Sequence, residues 1–368
     1  MFKFQAAPKS PDMILMIVTL ILVTVGTVMI YSSSSILAME RFKDAQYFLK
    51  KQVVFVLLGL GIMAFLQRIP YEQLRKLAYP GVVLSAVLLL LILIPHVGVR
   101  VGGATRWLRL GPVSFQVTEF VKIAVVLFLA HFLTRKSEYL KEWTRGILVP
   151  MGVTFVLVGL IVIEPDFGTA VIITAILMFM LYLSGSRFRY IASLIALLIP
   201  LGAWILLSKQ YRVDRLMTFL DPWRDPQNSG FQIIQSLLSF GSGGAFGVGL
   251  GDGMQKLFYL PEPHTDFILA VIAEESGFIG VAIILALFGI FIFRGFMIAF
   301  RAPDRFGTLL ASGITMIIAL EAFINIAGVM GLIPLKGLAL PFLSYGGSSL
   351  IMSLVAVGIL LNISAHET

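Results

Sequence analysis

The stretch MILMIVTLILVTVGTVMIY, residues 13–31, contains no charged side chain. A helix needs ~20 predominantly apolar residues to cross a bilayer's hydrocarbon core, whereas a cleavable signal has an apolar region of only ~7–15. The polar segment before it, 1–12, carries Lys3 and Lys9, so the run reads as an uncleaved first membrane helix. Similar runs follow, giving candidate spans at 13–35, 53–69, 77–95, 119–134, 147–164, 168–184, 189–208, 266–293, 306–331 and 346–363. Composition agrees: the 368 residues are 58% hydrophobic and 13% charged, against ~45–50% and ~25% in a soluble domain. Mean hydropathy is +0.95. A soluble globular enzyme, a disordered chain and a disulfide-stapled secreted domain are excluded, the last also because cysteine is absent. The sequence predicts an all-α polytopic membrane protein with about ten transmembrane helices and one long extracytoplasmic loop between helices 7 and 8.

An even number of spans puts both termini on one side. The net charge of +8 comes from 28 Lys and Arg against 20 Asp and Glu, scattered through short loops, which argues against a nucleic-acid surface. Short cytoplasmic loops carry the excess of Lys and Arg. With the long 209–265 segment set apart, loops on the side of the termini hold 14 such residues and those opposite hold 8. The expected organisation is a cytoplasmic tail at 1–12, helices 1–7 over 13–208, the extracytoplasmic loop 209–265, helices 8–10 over 266–363 and a cytoplasmic tail at 364–368. No internal repeat is visible, which weakens an inverted-repeat transporter.

Without cysteine, and with His96, His131, His264 and His366 far apart in sequence, chemistry falls to carboxylates, Lys, Arg and hydroxyls. The 209–265 loop is long enough to be functional. Gln232–Phe240 suits a short amphipathic helix at the interface. The glycine-rich run Gly241–Gly253 fits either a tightly packed re-entrant turn or a backbone phosphate cradle. Leu260-Pro261-Glu262-Pro263-His264-Thr265-Asp266-Phe267 then runs directly into an apolar span. Thr265 or Asp266 is placed to cap that helix; equally, Asp266 is placed as a base at the water–lipid boundary, where desolvation raises basicity.

Ionisable groups within spans are costly and usually have a partner or a task. Glu119 and Lys122 stand at i, i+3, close enough to pair on one helix face. Glu274 and Glu275 mark span eight, and Glu321 with Asn325 span nine, as facing a cavity. In the 96–118 loop, Arg106, Trp107 and Arg109 suit interface anchoring or arginine binding of a diphosphate. Between spans nine and ten, the prolines and glycines from Pro334 to Gly347 predict a broken, non-helical entry into the last span.

Several separate motifs, in order, resemble the SEDS proteins (shape, elongation, division, sporulation). These are Asp221-Pro222-Trp223 to Asp225-Pro226, Gly230-Phe231-Gln232 with Gln235-Ser236, Leu260-Pro261-Glu262, Thr265-Asp266-Phe267 and Pro341-Phe342-Leu343-Ser344-Tyr345-Gly346-Gly347-Ser348-Ser349. Arg106-Trp107-Leu108 and Glu119-x-x-Lys122 also fit. Val117 departs from the family, where many members have proline. Lys336 and His264 are more similar to the division branch, FtsW, than to RodA, the elongation branch.

The resemblance implies a peptidoglycan glycosyltransferase that polymerises lipid II on the outer face of the bacterial cytoplasmic membrane. It maps the essential carboxylate onto Asp266, as general base for the acceptor hydroxyl, with undecaprenyl diphosphate leaving. The leaving diphosphate needs positive charge, for which Arg106, Lys122 and Lys336 are candidates ahead of Arg109, Arg212 and Lys256. Glu119, Glu262, His264 and Ser344 complete the expected substrate-binding set. The resemblance implies no certain cofactor, though a divalent cation assisting the diphosphate is compatible with it. It also implies a class B penicillin-binding protein (a transpeptidase) as partner, alongside other divisome or elongasome membrane proteins. A lipid II flippase and a non-catalytic scaffold are the alternatives: a flippase needs charged groups reaching both sides, and a scaffold tolerates loss of Asp266.

Overall fold

The computed structural model describes residues 10–101, 104–110, 113–208, 210–228, 230–254, 263–334 and 337–366. Twelve α-helices run in order: α1 (Met13–Phe42), α2 (Tyr47–Leu66), α3 (Ala78–Leu93), α4 (Val117–Arg135), α5 (Val149–Ile163), α6 (Phe167–Leu183), α7 (Phe188–Leu207), α8 (Gln210–Leu220), α9 (Phe231–Gly243), α10 (Ile268–Arg301), α11 (Arg305–Val329) and α12 (Gly347–Ala365). Among the described residues, eight helical segments are long and apolar enough to cross a membrane, and α6 and α7 are shorter apolar helices. Together they are the ten expected spans. The two additional helices, α8 and α9, both fall in the long loop, and α9 contains the Gln232–Phe240 run expected to be helical.

Burial sorts the bundle. Helices α4, α11 and α12 are largely enclosed, whereas α2, α3 and α7 turn many apolar side chains outward, among them Leu57, Val83, Leu197 and Trp204. Apolar surface of this extent is stable only against lipid or a partner. The chain is therefore a multi-pass membrane protein. The end of the bundle that carries the N-terminus of α1 is tied by polar side chains. Asp12 caps α1 by accepting from the Leu15 N–H at 2.9 Å and pairs with Arg294. Asp304 caps α11 and pairs with Arg75.

Two sets of boundaries differ from expectation. Helix α1 continues to Phe42, past the expected end at 35, and α2 begins at Tyr47 rather than 53, because Glu40, Arg41 and Lys50–Gln52 are polar residues that helix geometry tolerates. Helix α10 likewise runs on to Arg301, past the expected end at 293. The 96–118 loop is more ordered than the sequence reading expected. It forms a three-stranded antiparallel sheet, β1 (Gly98–Val101), β2 (Ala104–Leu110) and β3 (Val113–Gln116), with Trp107 opposite both Val99 and Gln116. The sheet is pinned to α12 through Ser348, whose hydroxyl accepts from the Gln116 N–H at 3.0 Å.

Helix α10 is interrupted at Gly277, whose φ of 65° and ψ of −167° are open only to glycine. Broken backbone at membrane depth requires substitute partners, and the glycine-rich segment supplies them. Phe278 N–H donates to the Gly244 carbonyl at 2.9 Å and Ile279 N–H to that of Ala245 at 3.2 Å; Val248 and Gly249 N–H donate to the carbonyls of Glu274 and Glu275 at 3.0 and 3.1 Å. The amides of Val248 and Gly249 are thereby spent within the protein, as a packed turn requires. A Cβ at Gly243 would overlap the Ala273 carbonyl oxygen, whereas one at Gly241 meets nothing within 4 Å. Gly243→Ala is therefore expected to destabilise the chain by ~1–3 kcal/mol, read as a lowered Tm in detergent. Gly241→Ala, on the same helix, should leave Tm unchanged or slightly raised.

The lack of cysteine makes sidedness directly testable. Gln227, exposed between α8 and α9, and Glu138, exposed after α4, lie beyond opposite ends of the spans. With the termini inside, Gln227→Cys reacts with a membrane-impermeant maleimide in intact cells and Glu138→Cys only after permeabilisation. The reverse pattern refutes that orientation.

Candidate active site

The entry to α10 is held by its backbone. The carbonyl of His264 accepts from Tyr345 N–H at 2.8 Å, that of Thr265 from the Ser344 hydroxyl at 2.6 Å, and that of Asp266 from Asn325 Nδ2 at 2.9 Å. Asn325 also donates to the Leu338 carbonyl at 2.6 Å, and Ser344 accepts from Leu340 N–H at 2.8 Å. Helix α11 and the 337–346 segment thus fix three consecutive residues from two directions. The N-cap of α10 is Phe267, one residue later than the Thr265 or Asp266 expected from the sequence, and the Phe267 side chain makes no cap. This bracing of the segment runs through its carbonyls.

The Asp266 side chain is half-buried and lines a small recess with Asn325, Gly328, Gly337 and Leu338. Gly337 has φ +61°, and a Cβ there would stand 3.1 Å from Asp266 Oδ2. A side chain at 337 would crowd the carboxylate.

Below Asp266, α11 carries the second polar cluster. Lys122 Nζ lies 2.9 Å from Glu119 Oε1 and pairs with Glu321, all three residues being buried. Glu321 is one helical turn from Asn325, so a line of polar groups leads from this triad to the Asp266 carbonyl. The i, i+3 pair expected on α4 is present, and its third member crosses from α11. Lys122 has two carboxylates as neighbours and so is a structural ion-pair partner in this conformation. Lys122→Met leaves two buried carboxylates uncompensated and should cost ~3–5 kcal/mol of stability. Adding Glu119→Gln and Glu321→Gln should restore most of it, measured by chemical unfolding in detergent.

His264 is buried, with ring centroids 4.6 Å from Phe48 and 5.6 Å from Tyr345. Burial lowers its pKa to about 4, with the charge of Arg41 acting the same way. Because the unfolded imidazole protonates near ~6.5, the native state loses stability as pH falls from that value towards 4. His264→Phe should flatten the dependence of Tm on pH over this interval; an unchanged slope contradicts the assignment.

Arg106 sits on β2 and reaches the turn between α5 and α6. Its Nη2 donates to the Pro165 carbonyl at 3.0 Å, and its Nε is 3.7 Å from Asp166 Oδ2. Asp166 in turn caps α6 through Thr169. Glu164, on the same turn, is buried with neither carboxylate oxygen hydrogen-bonded. Burial first, and Asp166 second, push its pKa up to about 8, against the opposing charge of Arg106. Sequence reading passed over Glu164 and Asp166, although two acids flanking a proline in the shortest turn between spans are a usable signal. The turn adjoins the Asp266 recess: Gly168 faces the Leu338 side chain, with a Cβ at Gly168 falling 3.2 Å from it.

Glu274 and Glu275 are buried as expected, Glu274 accepting from Met254 N–H at 2.8 Å and Glu275 from the Ser32 hydroxyl at 2.7 Å. Arg212 lies over the Phe167 ring at 4.4 Å, and Arg109 is exposed on β2. Lys256, Glu262 and Lys336 lie outside the described residues. Among the described residues no three His, Asp or Glu side chains are grouped to hold a metal ion.

The sequence matches the cell cycle protein family of FtsW, RodA and SpoVE over residues 12–368. The chain belongs to this family. It is 47% identical over 354 residues to a protein of Trichlorobacter lovleyi named probable peptidoglycan glycosyltransferase FtsW, covering 96% of this chain and 93% of that one. Its fold superposes with TM-score 0.80 and 32% identity, over 96% and 97% of the two chains, on a chain from a structure describing coordination of polymerization and crosslinking by a peptidoglycan synthase complex. The Thermus thermophilus rod shape determining protein RodA follows at TM-score 0.72 and 28% identity, over 96% of both chains. Membership of the FtsW/RodA/SpoVE family agrees with the SEDS resemblance read from the motifs.

Proposed function

We propose that the chain is a peptidoglycan glycosyltransferase that polymerises lipid II into glycan strands at the outer face of the cytoplasmic membrane, in cell division. The observation that carries this reading is Asp266: a half-buried carboxylate one residue ahead of the α10 N-cap, lining a recess between α11 and the 337–346 segment. The FtsW names among the relatives support the division role, and the excess of Lys and Arg in loops on the side of the termini supports both termini being cytoplasmic.

Asp266 takes the proton of the acceptor sugar's C4 hydroxyl as its oxygen attacks C1 of the donor. The C1–O bond to the diphosphate breaks, undecaprenyl diphosphate departs with the electron pair, and the anomeric centre inverts. A diphosphate leaves without strong protonation, so one base serves where glycoside hydrolysis uses two carboxylates. Positive charge near the leaving group falls to Lys336 and, through the turn it clamps, to Arg106; Lys122 acts from beneath by fixing α11. His264 and Ser344 position the Asp266 segment, and Glu119 holds Lys122. Lys256 and Glu262 complete the proposed substrate contacts. The likeness to a chain of a synthase complex supports a class B penicillin-binding protein as partner.

The test is strand formation from purified lipid II by the chain with its transpeptidase partner. Asp266→Ala and Asp266→Asn should each lower the rate by at least ~10²-fold while retaining Tm and partner co-purification. An active Asn variant overturns the general-base assignment.

A further inference from the structure

A second cavity, of about 280 Å³, opens at the turn that carries Glu164. Its lining mixes apolar side chains, including Ile92 and Leu93 from the end of α3 and Ile163 from the end of α5, with the polar side chains of His96 and Glu164 and polar backbone, so that more of its surface is polar than apolar. Glu164 is 1% exposed, and neither of its carboxylate oxygens has a hydrogen-bond partner. A buried polar group left in that state costs ~1–3 kcal/mol or more, so it points to a partner arriving from outside the fold. The volume lies below the ~300–1,000 Å³ of drug-sized pockets, which suits one small substituent rather than a whole headgroup.

The chemistry of the walls narrows the class. A carboxylic acid in its neutral form offers one donor and one acceptor on adjacent oxygens. A secondary amide offers the matching acceptor and donor, and its alkyl end suits the Ile and Leu walls. A diphosphate is disfavoured at this cavity, because the acids Glu164 and Asp166 share its turn and the charge of Asp166 acts on Glu164.

We propose that the Glu164 cavity is a subsite for a secondary amide of the polymerised substrate, an acetamido group on a sugar or an amide of its stem peptide, held by a two-point hydrogen bond to the Glu164 carboxyl. The assignment rests on the function proposed above; the Glu164 turn leads into α6, whose Gly168 packs against Leu338 of the Asp266 recess. Pro165 and Asp166 are held by Arg106, so the arginine is a positioning residue for this subsite.

Equilibrium binding of a fluorescent lipid-linked disaccharide-peptide to the full-length chain in detergent tests it without requiring turnover. Two hydrogen bonds at ~0.5–1.5 kcal/mol each correspond to about a tenfold change in Kd. Glu164→Ala should weaken binding about tenfold, while Glu164→Gln, which keeps a donor and an acceptor, should stay within about twofold. In the wild type, binding should weaken as pH rises through about 8, where Glu164 loses its proton. The Gln variant should lack that step, because it leaves His96, Asp166 and Arg106 in place and removes only the Glu164 titration. A probe without the stem peptide separates the two amide sources: a retained dependence on residue 164 assigns the sugar, and a lost one assigns the peptide. Equal binding by wild type and Glu164→Ala, or a Gln variant as weak as Ala, overturns the proposal. Intact, Glu164-dependent binding without strand formation instead strikes only the polymerase reading.

Discussion

Three consecutive carbonyl oxygens, of His264, Thr265 and Asp266, are each held by a donor from elsewhere in the fold. Backbone carbonyls ahead of a helix are not part of its ladder, so without Tyr345, Ser344 and Asn325 this turn would be free to move relative to α11. The bonds fix where the Asp266 side chain emerges, and they link α10, α11 and the 337–346 segment into one rim. A carboxylate intended to take a proton from a bound hydroxyl must be held near hydrogen-bond reach of it. Bracing through carbonyls fixes the backbone from which that carboxylate projects.

The membrane imposes the second constraint. Polar groups inside the bundle must be satisfied within the protein, and the structure does this by pairing elements remote in sequence. Lys122 of α4 meets Glu321 of α11, and the glycine-rich segment repairs the break in α10 at Gly277. Both devices satisfy polar groups by contacts between remote elements. Departures remain: both amide atoms of Gln52 in α2 and both carboxylate oxygens of Glu164 are buried with no internal partner, and Glu164 alone of these two lines a cavity. Unsatisfied groups of this kind are expected where a ligand supplies what the fold does not.

Much of the fold was legible because hydrophobic runs of membrane length are a strong signal: each of the ten expected spans coincides with an apolar helix, eight of them long enough to cross a membrane. Their ends were less so: Glu40-Arg41 and Lys50–Gln52 look like loop yet continue α1 and α2, since helix geometry accepts polar residues wherever water or a neighbour receives them. The sheet at 98–116 was missed although Gly102-Gly103 and Gly111-Pro112 are turn signals between short alternating runs. The Gly277 break leaves no local mark, because glycine is common in membrane helices and the interruption is set by the segment packed against it. For the site, Asp266, the Glu119–Lys122 pair and the inward face of α11 were readable from charge in apolar context. The Asp266 bracing was not, since it depends on carbonyls, which every residue has.

The measurement that bears most directly on this account is steady-state strand formation by Asn325→Ala with its transpeptidase partner, alongside its Tm. Asn325 touches Asp266 only through the main chain, so its loss shifts the carboxylate without changing its chemistry. The bracing account predicts kcat lower by ~10–100-fold with KM within about twofold and the chain still folded. A variant that keeps the wild-type kcat would show that the position of Asp266 does not depend on the carbonyl bracing.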